Sequence, residues 1–520
     1  MIRHGLRGLA LLAAGLALLA LQPLGAAGVG VHAAWVDPLV LHILETESQV
    51  DVLVVLKDQA DLSGAGDLGR SWDARGVWVV NRLQAVSSES QESLTDLLEA
   101  AGVAYRSYWI VNLLALRADE DLLASLARHP DVARIVFNAP IETDLGWVDA
   151  PSVSGSVARG IEHNVDQINA PALWTLGVRG AGVVIGIADT GVSWAHSALQ
   201  DQYAGWDGVV ANHDTHWWDA IHDDAIGPGV NECGINLQAP CDDYGHGTHV
   251  AGIAVGDDGV GNQIGVAPDA KWIACRNMDS GVGTPATYIE CYQFFLAPTD
   301  LNGENPNPAL RPHIVNSSFA CPPAEGCTAG DELQGAVEAL RAAGIFMATS
   351  AGNGGPACGS INTPPALEMG AYTVGAVDGF DLIAGFSSRG PVDLAGGWGM
   401  KPDLVAPGSH IRSSFTQDGS PPIHTYTFKS GTSMAAPHSA GGVALLWSAF
   451  SSLSRQVAQT EWLLGISAHP LDCSGICCAP SSPGDWPNTV YGYGRLDLLQ
   501  AYLFWENQTS LPVIFKYSAP

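Results

Sequence analysis

Three glycine-bracketed segments of this chain carry side chains suited to one kind of reaction. Ile187-Ala-Asp189-Thr-Gly191 sets a carboxylate at the end of an apolar run. Gly245-His246-Gly-Thr-His249-Val-Ala-Gly252 sets an imidazole where a helix begins, and Ser430-Gly-Thr-Ser433-Met-Ala-Ala-Pro-His438 sets a hydroxyl at a second helix start. Strand ends and helix N-termini open onto clefts. An acid, an imidazole and a hydroxyl gathered there are the parts of acyl transfer: the acid fixes the imidazole tautomer, the imidazole takes the hydroxyl proton, and the oxygen attacks a carbonyl. A fourth segment, Ala348-Thr-Ser-Ala351-Gly-Asn353-Gly-Gly355, ends a strand with an amide among glycines. That amide and the Ser433 backbone N–H can donate to a developing oxyanion. Taken singly, Asp189 reads equally well as a turn former and Ser433 as a helix cap; only the four together point to chemistry. His249 and His438 read as helix packing, and Asp242 and Asp243 as a solvated loop.

The elements that must position these groups follow from pattern. From about residue 161 apolar strands alternate with helices: Val183–Ala188, Trp272–Ala274, Ile314–Val315, Ile345–Thr349 and Tyr372–Val377 against His249–Val255, Leu333–Ala343 and Ser433–Phe450. Continuous apolar runs are strands buried on both faces, so residues 161–500 are predicted to form an α/β unit with a mostly parallel central sheet and helices on both faces. Residues 48–143 read differently. A strand at 50–57, a helix at about 78–101, a strand region Tyr105–Arg117, a helix Asp119–Arg128 stopped by His129-Pro130, and a strand Val132–Asn138 suit a small ferredoxin-like α+β domain. Residues 144–160, with Pro151-Ser-Val-Ser-Gly-Ser156, read as an exposed linker open to proteolysis. Residues 501–520 read as a tail, polar and then β-like over Leu511–Tyr517.

Composition narrows the class. The 520 residues carry 23 basic and 53 acidic groups, a net charge of −30, which excludes nucleic acid and anionic membrane surfaces as partners. A basic start, an apolar run from Gly8 to Leu21 and small residues beyond Pro23 mark residues 1–27 as a signal peptide, cleaved near Ala27 or Ala34. The mature chain is then expected to be secreted and extracellular, with no membrane span. All ten cysteines lie at or after position 233, and in a secreted chain an even set reads as disulfides. Cys233/Cys241 and Cys321/Cys327 are short-loop pairs, with Cys358 competing for the second. Cys473, Cys477 and Cys478 lack the second ligand pair of a zinc site.

These motifs resemble those of the secreted subtilisin-family serine proteases, the subtilases. The order Asp, His, Ser along the chain is the subtilisin order. Gly265-Val-Ala-Pro268, Phe386-Ser-Ser-Arg-Gly-Pro391 and Lys401-Pro-Asp-Leu-Val-Ala-Pro-Gly408 match too, over roughly residues 163–500. Trp217-Trp-Asp-Ala220 and Leu296-Ala-Pro298 resemble the bacillopeptidase F-like branch. The resemblance implies a triad of Asp189, His246 and Ser433, with Asn353 and the Ser433 amide as the oxyanion hole. It implies protein or peptide substrates held as an added strand between Met278–Gly283, including Asp279, Ser280 and Gly281, and the segment with Ser318, Phe319 and Ala320. It also implies that the N-terminal domain is an inhibitor-like propeptide, an intramolecular chaperone shed by self-cleavage in the 144–160 linker, and that the enzyme is a monomer. No cofactor is required for the chemistry.

Three departures and rivals stand beside that resemblance. Ala320 and Cys321 replace usual glycines, and Asp279 near the groove suggests a taste for basic or small polar residues. A structural calcium is expected, if anywhere, near Asn262; the carboxylate usually supplied near Ala198 is missing, and the pairs Asp223-Asp224 and Asp257-Asp258 are acidic loops elsewhere. Asp189-Thr-Gly191 and Asp279-Ser-Gly281 also fit the short aspartic-protease signature, which would leave the histidine and serine segments unexplained. A selective processing protease for one partner and a non-catalytic binding module on the same scaffold remain alternatives.

Overall fold

Val184–Asp189 is buried along nearly its whole length, so both of its faces must be covered. In the computed structural model it lies near the centre of a seven-stranded sheet, third in the order. The order is Trp217–Asp219, Lys271–Arg276, Val184–Asp189, Ile314–Ser317, Phe346–Ser350, Tyr372–Val377 and Leu404–Pro407, and every pairing is parallel. The structure describes residues 33–510 apart from 69–70, 143–144, 149–159, 224–230, 322–330, 395–396, 418–422, 474–476 and 478–485. The proposed signal peptide, most of the 144–160 linker, Cys327, Cys478, Asp224 and Leu511–Tyr517 therefore lie outside the described residues.

Alternate side chains of the central strand serve two cores. Ile185 and Ile187 join the buried residues of helices His246–Val255 and Thr432–Ala449. Ala188, on the other face, joins those of helices Pro285–Leu296 and Asp331–Ala342. From Val184–Asp189 the chain passes to the edge strand Trp217–Asp219, fills the gap with Lys271–Arg276 and then lays Ile314–Ser317 on the other side. The crevice at the carboxyl ends of those two strands is the switch point at which such sheets bind ligands. Asp189 ends one of the strands and Ser318 follows the other. The helix Leu498–Ser510 buries Leu498 and Ala501 in the first core, so the segment expected as a tail from 501 is helical through Ser510.

The N-terminal unit has a five-stranded sheet in the order Trp35–Val36, Val132–Phe137, Val50–Leu56, Leu113–Ala118, Tyr105–Tyr108. Its helices are Pro38–Leu44, Trp72–Ala101 and Glu120–Ala127. Asp119 caps the last through Leu122 N, and Gly102 in the left-handed region (φ +66°) ends the long one. Without the short strand Trp35–Val36, this is the split β-α-β order expected. Two differences have one cause. The region Tyr105–Arg117 is two antiparallel strands joined by a turn, and the helix begins at Trp72 rather than 78. The turn residues Ile110 and Val111 are apolar because they are buried against helices of the larger unit, as is Trp72. Trp72 lies between cations of the larger unit, with the Arg311 guanidinium 3.5 Å and that of Arg455 4.6 Å from its ring, and stacks on His313. Tyr108 OH and Trp109 N donate to Glu290 Oε2 (2.9 Å) and Gln293 Oε1 (2.7 Å) on the helix Pro285–Leu296.

Disulfides join Cys233–Cys241, Cys275–Cys291 and Cys358–Cys477. The first agrees with its short-loop expectation. Cys358 takes Cys477, so it does not compete for Cys321, which is itself disulfide-bonded.

Candidate active site

Asp189 and His246 meet at the base of the crevice. His246 Nδ1 lies 2.6 Å from Asp189 Oδ1, and both side chains are wholly buried. The same oxygen accepts from Thr190 N at 2.8 Å. An Nδ1–H facing the carboxylate leaves the lone pair on Nε2. Local sequence explains the meeting. Gly245 enters the helix at φ +76°, and a methyl there would strike the Phe415 ring; a methyl on Gly247 would strike the Gly191 carbonyl. Glycines on both sides of His246 therefore let its helix close onto the strand end that carries Asp189.

Asp242, expected in a solvated loop, is buried and ties these two elements together. It accepts from Thr190 Oγ1, Tyr244 N, Gly245 N and both Thr248 N and Thr248 Oγ1. One carboxylate thus grips the residue after Asp189 and the first turn of the helix that carries His246. Burial pushes its pKa up, against those donors. Asp243 is buried as well, paired with Arg276 and accepting from Ser280 N. His249 is a packed partner as expected: its Nε2 faces the Ile411 and Thr427 carbonyls, and burial holds its pKa well below the ordinary value. His438 spans Met434 O and Asn164, with burial pushing it down to about 4. Beside the pair sits Lys429, pushed down to about 8 by burial, with Asp242 and Asp189 opposing.

Ser433 is the second residue of its helix and almost fully buried. Its helix contains Pro437, which has no N–H to offer the carbonyl four residues back. That carbonyl is Ser433 O, and Ser318 Oγ donates to it at 3.0 Å. In return Ser433 Oγ donates to Ser318 O at 3.1 Å. The hydroxyl is thus turned towards Ser318, and His246 Nε2, buried, has no hydrogen-bond partner among the described residues.

Asn353 is oriented by Thr432. Its Oδ1 accepts from Thr432 N (2.9 Å) and Thr432 Oγ1 (3.0 Å), and Gly352 N donates to the same hydroxyl at 3.1 Å. With Oδ1 committed there, the amide's Nδ2 is set beside Gly431, 3.6 Å from where a Cβ on that glycine would lie. Asn353, Gly431 and Ser433 are thereby gathered on one side of the crevice.

The expected substrate-binding residues divide. Met278–Asp279 and Val282–Gly283 form a small hairpin, with Ser280 at φ +51° and Gly281 at its tip. Its outer strand is already paired: Val282 with Glu142 and Gly283 with Ile141, antiparallel. A strand is therefore added where one was expected, and it belongs to this chain. Asp279 does not offer its charge to that groove. It is buried, 3.4 Å from Arg276 Nη2, in a cluster where Arg276 also meets Asp219 and Asp243. The reason for expecting a basic-residue preference falls with it. Phe319 is core, stacked on Tyr288 at 4.2 Å, and Ser318 supports Ser433; Ala320 is half-buried at the rim.

Asn262 does not present a calcium ligand. Its Oδ1 accepts from Arg412 Nη2 at 2.8 Å, and the other end of that guanidinium pairs with Glu162 at 2.7 Å and faces the Tyr426 ring. A cation is already there, so the residues present do not fit the metal.

Sequence reasoning missed Thr432 and Arg412, and it read Asp242 as a solvated loop. A faint signal existed only for Thr432, as the residue between Gly431 and Ser433.

The subtilase family profile matches residues 180–494. The chain is similar to bacillopeptidase F of Bacillus subtilis (strain 168), 36% identical over 446 residues that take in 81% of this chain and 28% of that protein. It is similar to subtilisin E of the same strain, 28% identical over 375 residues, 71% of this chain and 80% of that one. It is also 29% identical over 355 residues to the human membrane-bound transcription factor site-1 protease, 67% of this chain and 28% of that one. The chain thus spans under a third of the length of two of these relatives.

Proposed function

This chain belongs to the subtilase family, and we propose that it is a serine-type endopeptidase whose reaction runs through Ser433, His246 and Asp189 with Asn353 as oxyanion donor. The observation that carries this is the buried 2.6 Å contact between His246 Nδ1 and Asp189 Oδ1, which leaves Nε2 as the base. Turning the Ser433 hydroxyl from Ser318 O to Nε2 readies the nucleophile. Its oxygen attacks the scissile carbonyl while Nε2 takes the proton and later returns it to the leaving amine. The tetrahedral oxygen is held by Asn353 Nδ2 and the Ser433 N–H. Asn353→Ala should then lower kcat about 10²–10³-fold with little change in KM, measured on a chromogenic peptide. A fall in KM-dependent binding alone, with kcat unchanged, would remove the oxyanion role.

The enzyme is further proposed to be made as a secreted, self-processing zymogen whose N-terminal unit guides folding and blocks the crevice. Two observations support this reading: the unit's own strand Ile141–Glu142 is added to the groove, and its helix and turn dock through Trp72, Tyr108 and Trp109. No helix of the described residues is long and apolar enough to cross a membrane. Expression of residues 161–520 alone should yield little active enzyme, and co-expression of residues 33–148 should restore it. Full activity from the shorter chain by itself would remove the chaperone role.

We also propose that Arg412, and not calcium, ties the Asn262 loop. Melting of the wild-type enzyme should then be the same in calcium and in a chelator. Arg412→Ala should cost about 2 kcal/mol, less than the roughly 3–5 kcal/mol of breaking a fully buried pair because Glu162 is partly exposed. Chelator-sensitive melting of the wild type, reversed by calcium, would overturn it.

A further inference from the structure

Two short strands of this chain, Ile141–Glu142 and Trp147–Val148, pair with the walls of the crevice. Upstream, Ile141 and Glu142 pair antiparallel with Gly283 and Val282. Downstream, Trp147 and Val148 pair antiparallel with Ser430 and Lys429, immediately ahead of Gly431, Thr432 and Ser433. Of the residues between the two ladders, Leu145 and Gly146 are described, and each is seated in its own way.

Leu145 is buried at 2% exposure, within the apolar cluster that holds Met278, Ala286 and Phe319, and its Cδ1 lies 3.6 Å from a Cβ built on Gly281. A charged side chain placed there would lose its water with no counter-charge gained. Gly146 sits at φ +75°, and a methyl on it would collide with the Ser430 carbonyl oxygen. Its Cα is 3.3 Å from a Cβ built on Gly431, the same point that lies 3.6 Å from Asn353 Nδ2. The backbone entering Gly146 thus runs beside the amide assigned to the oxyanion hole, where side chains are excluded on the enzyme and on the bound strand alike.

We propose that this peptidase selects a large apolar residue followed by glycine, and that it cuts its own chain between Leu145 and Gly146. This rests on the triad assignment above and deepens it to a substrate class. In the cut, Ser433 Oγ forms an ester with the Leu145 carbonyl carbon as the C–N bond to Gly146 breaks, and His246 delivers the proton to the Gly146 nitrogen. Water then hydrolyses the ester, giving the Leu145 carboxylate and restoring the Ser433 hydroxyl. The selection replaces the basic preference that Asp279 suggested.

The test uses matured wild-type enzyme and an internally quenched peptide with the sequence of residues 139–150, Ala-Pro-Ile-Glu-Thr-Asp-Leu-Gly-Trp-Val-Asp-Ala. Products are read by mass, and casein digestion and fluorophosphonate labelling are run on the same preparation. Expected is a single cut between Leu and Gly, with kcat/KM falling at least about 100-fold for the peptide with Gly146→Ala and for that with Leu145→Lys. A cut at another bond, or equal cleavage of the Ala variant, overturns the selection while casein digestion keeps the protease reading. Absence of both casein digestion and labelling would instead take down the triad assignment and this inference with it. In the full chain, Gly146→Val should stay uncut; the peptide series decides the matter if that variant does not fold.

Discussion

Ser433→Ala is expected to leave the full chain unsplit and to lower casein hydrolysis about 10⁶-fold, with no fluorophosphonate label taken up. The wild type, expressed alongside, should lose its N-terminal unit with time. The size of the effect follows from the nucleophile being the one group that forms a covalent bond to the substrate; the hole and the binding groove keep only a residual rate. The variant is a clean test because its fold should be untouched. The side-chain bond it removes, Ser433 Oγ to Ser318 O, is worth about 1 kcal/mol, while the reciprocal bond from Ser318 Oγ ends on the Ser433 backbone and survives. Disulfides should match the wild type, and the melting temperature should lie close to that of the unsplit wild-type chain. If the variant still sheds its front half at the wild-type rate in a protease-free host, self-processing by this serine is wrong. If it digests casein at more than about 1% of the wild-type rate, the nucleophile lies elsewhere.

How much of this was legible beforehand depends on the range of the interaction. Asp189, His246, Ser433 and Asn353 stand out because each must lie where backbone approaches backbone, and the glycines that permit it are local in sequence. The parallel sheet is legible for a similar reason, since burial on both faces writes continuous apolar runs. What escaped depends on partners far along the chain. Asp242 looks solvent-facing until Thr190 and Thr248 close on it. Asp279 looks like a groove charge until Arg276 is seen among three carboxylates. Asn262 looks like a calcium ligand until Arg412, 150 positions away, fills the place. The role of Ser318 needs both Pro437 and the helix register to be understood. The split of Tyr105–Arg117 could not be read either, because its turn is apolar for the sake of another unit's surface and not its own core.

The second large effect should come from Asp189→Asn, and it tests the geometry more sharply than loss of the hydroxyl. The substitution keeps shape and burial, so folding and KM should barely move. What changes is the charge facing the ring and, when the amide turns over, the sense of one hydrogen bond. At present the carboxylate oxygen accepts from both Thr190 N and His246 Nδ1. The amide oxygen can keep both of these bonds, with its NH₂ where the unpartnered Oδ2 stands; turned over, it points the NH₂ at the ring, where a donor demands a lone pair on Nδ1 and moves the proton to Nε2, the atom that has to accept from Ser433. Such a tautomer error costs about 10⁴-fold in kcat. The imidazolium formed during attack would also lose the buried negative charge that faces it. Asp189→Ala serves as the control for a purely structural role: it should fall by a similar factor in kcat but also lower the melting temperature, since it opens space beside His246. A loss below about 10-fold in the Asn variant, with its fold intact, would mean that the 2.6 Å contact holds the ring in place without setting its proton.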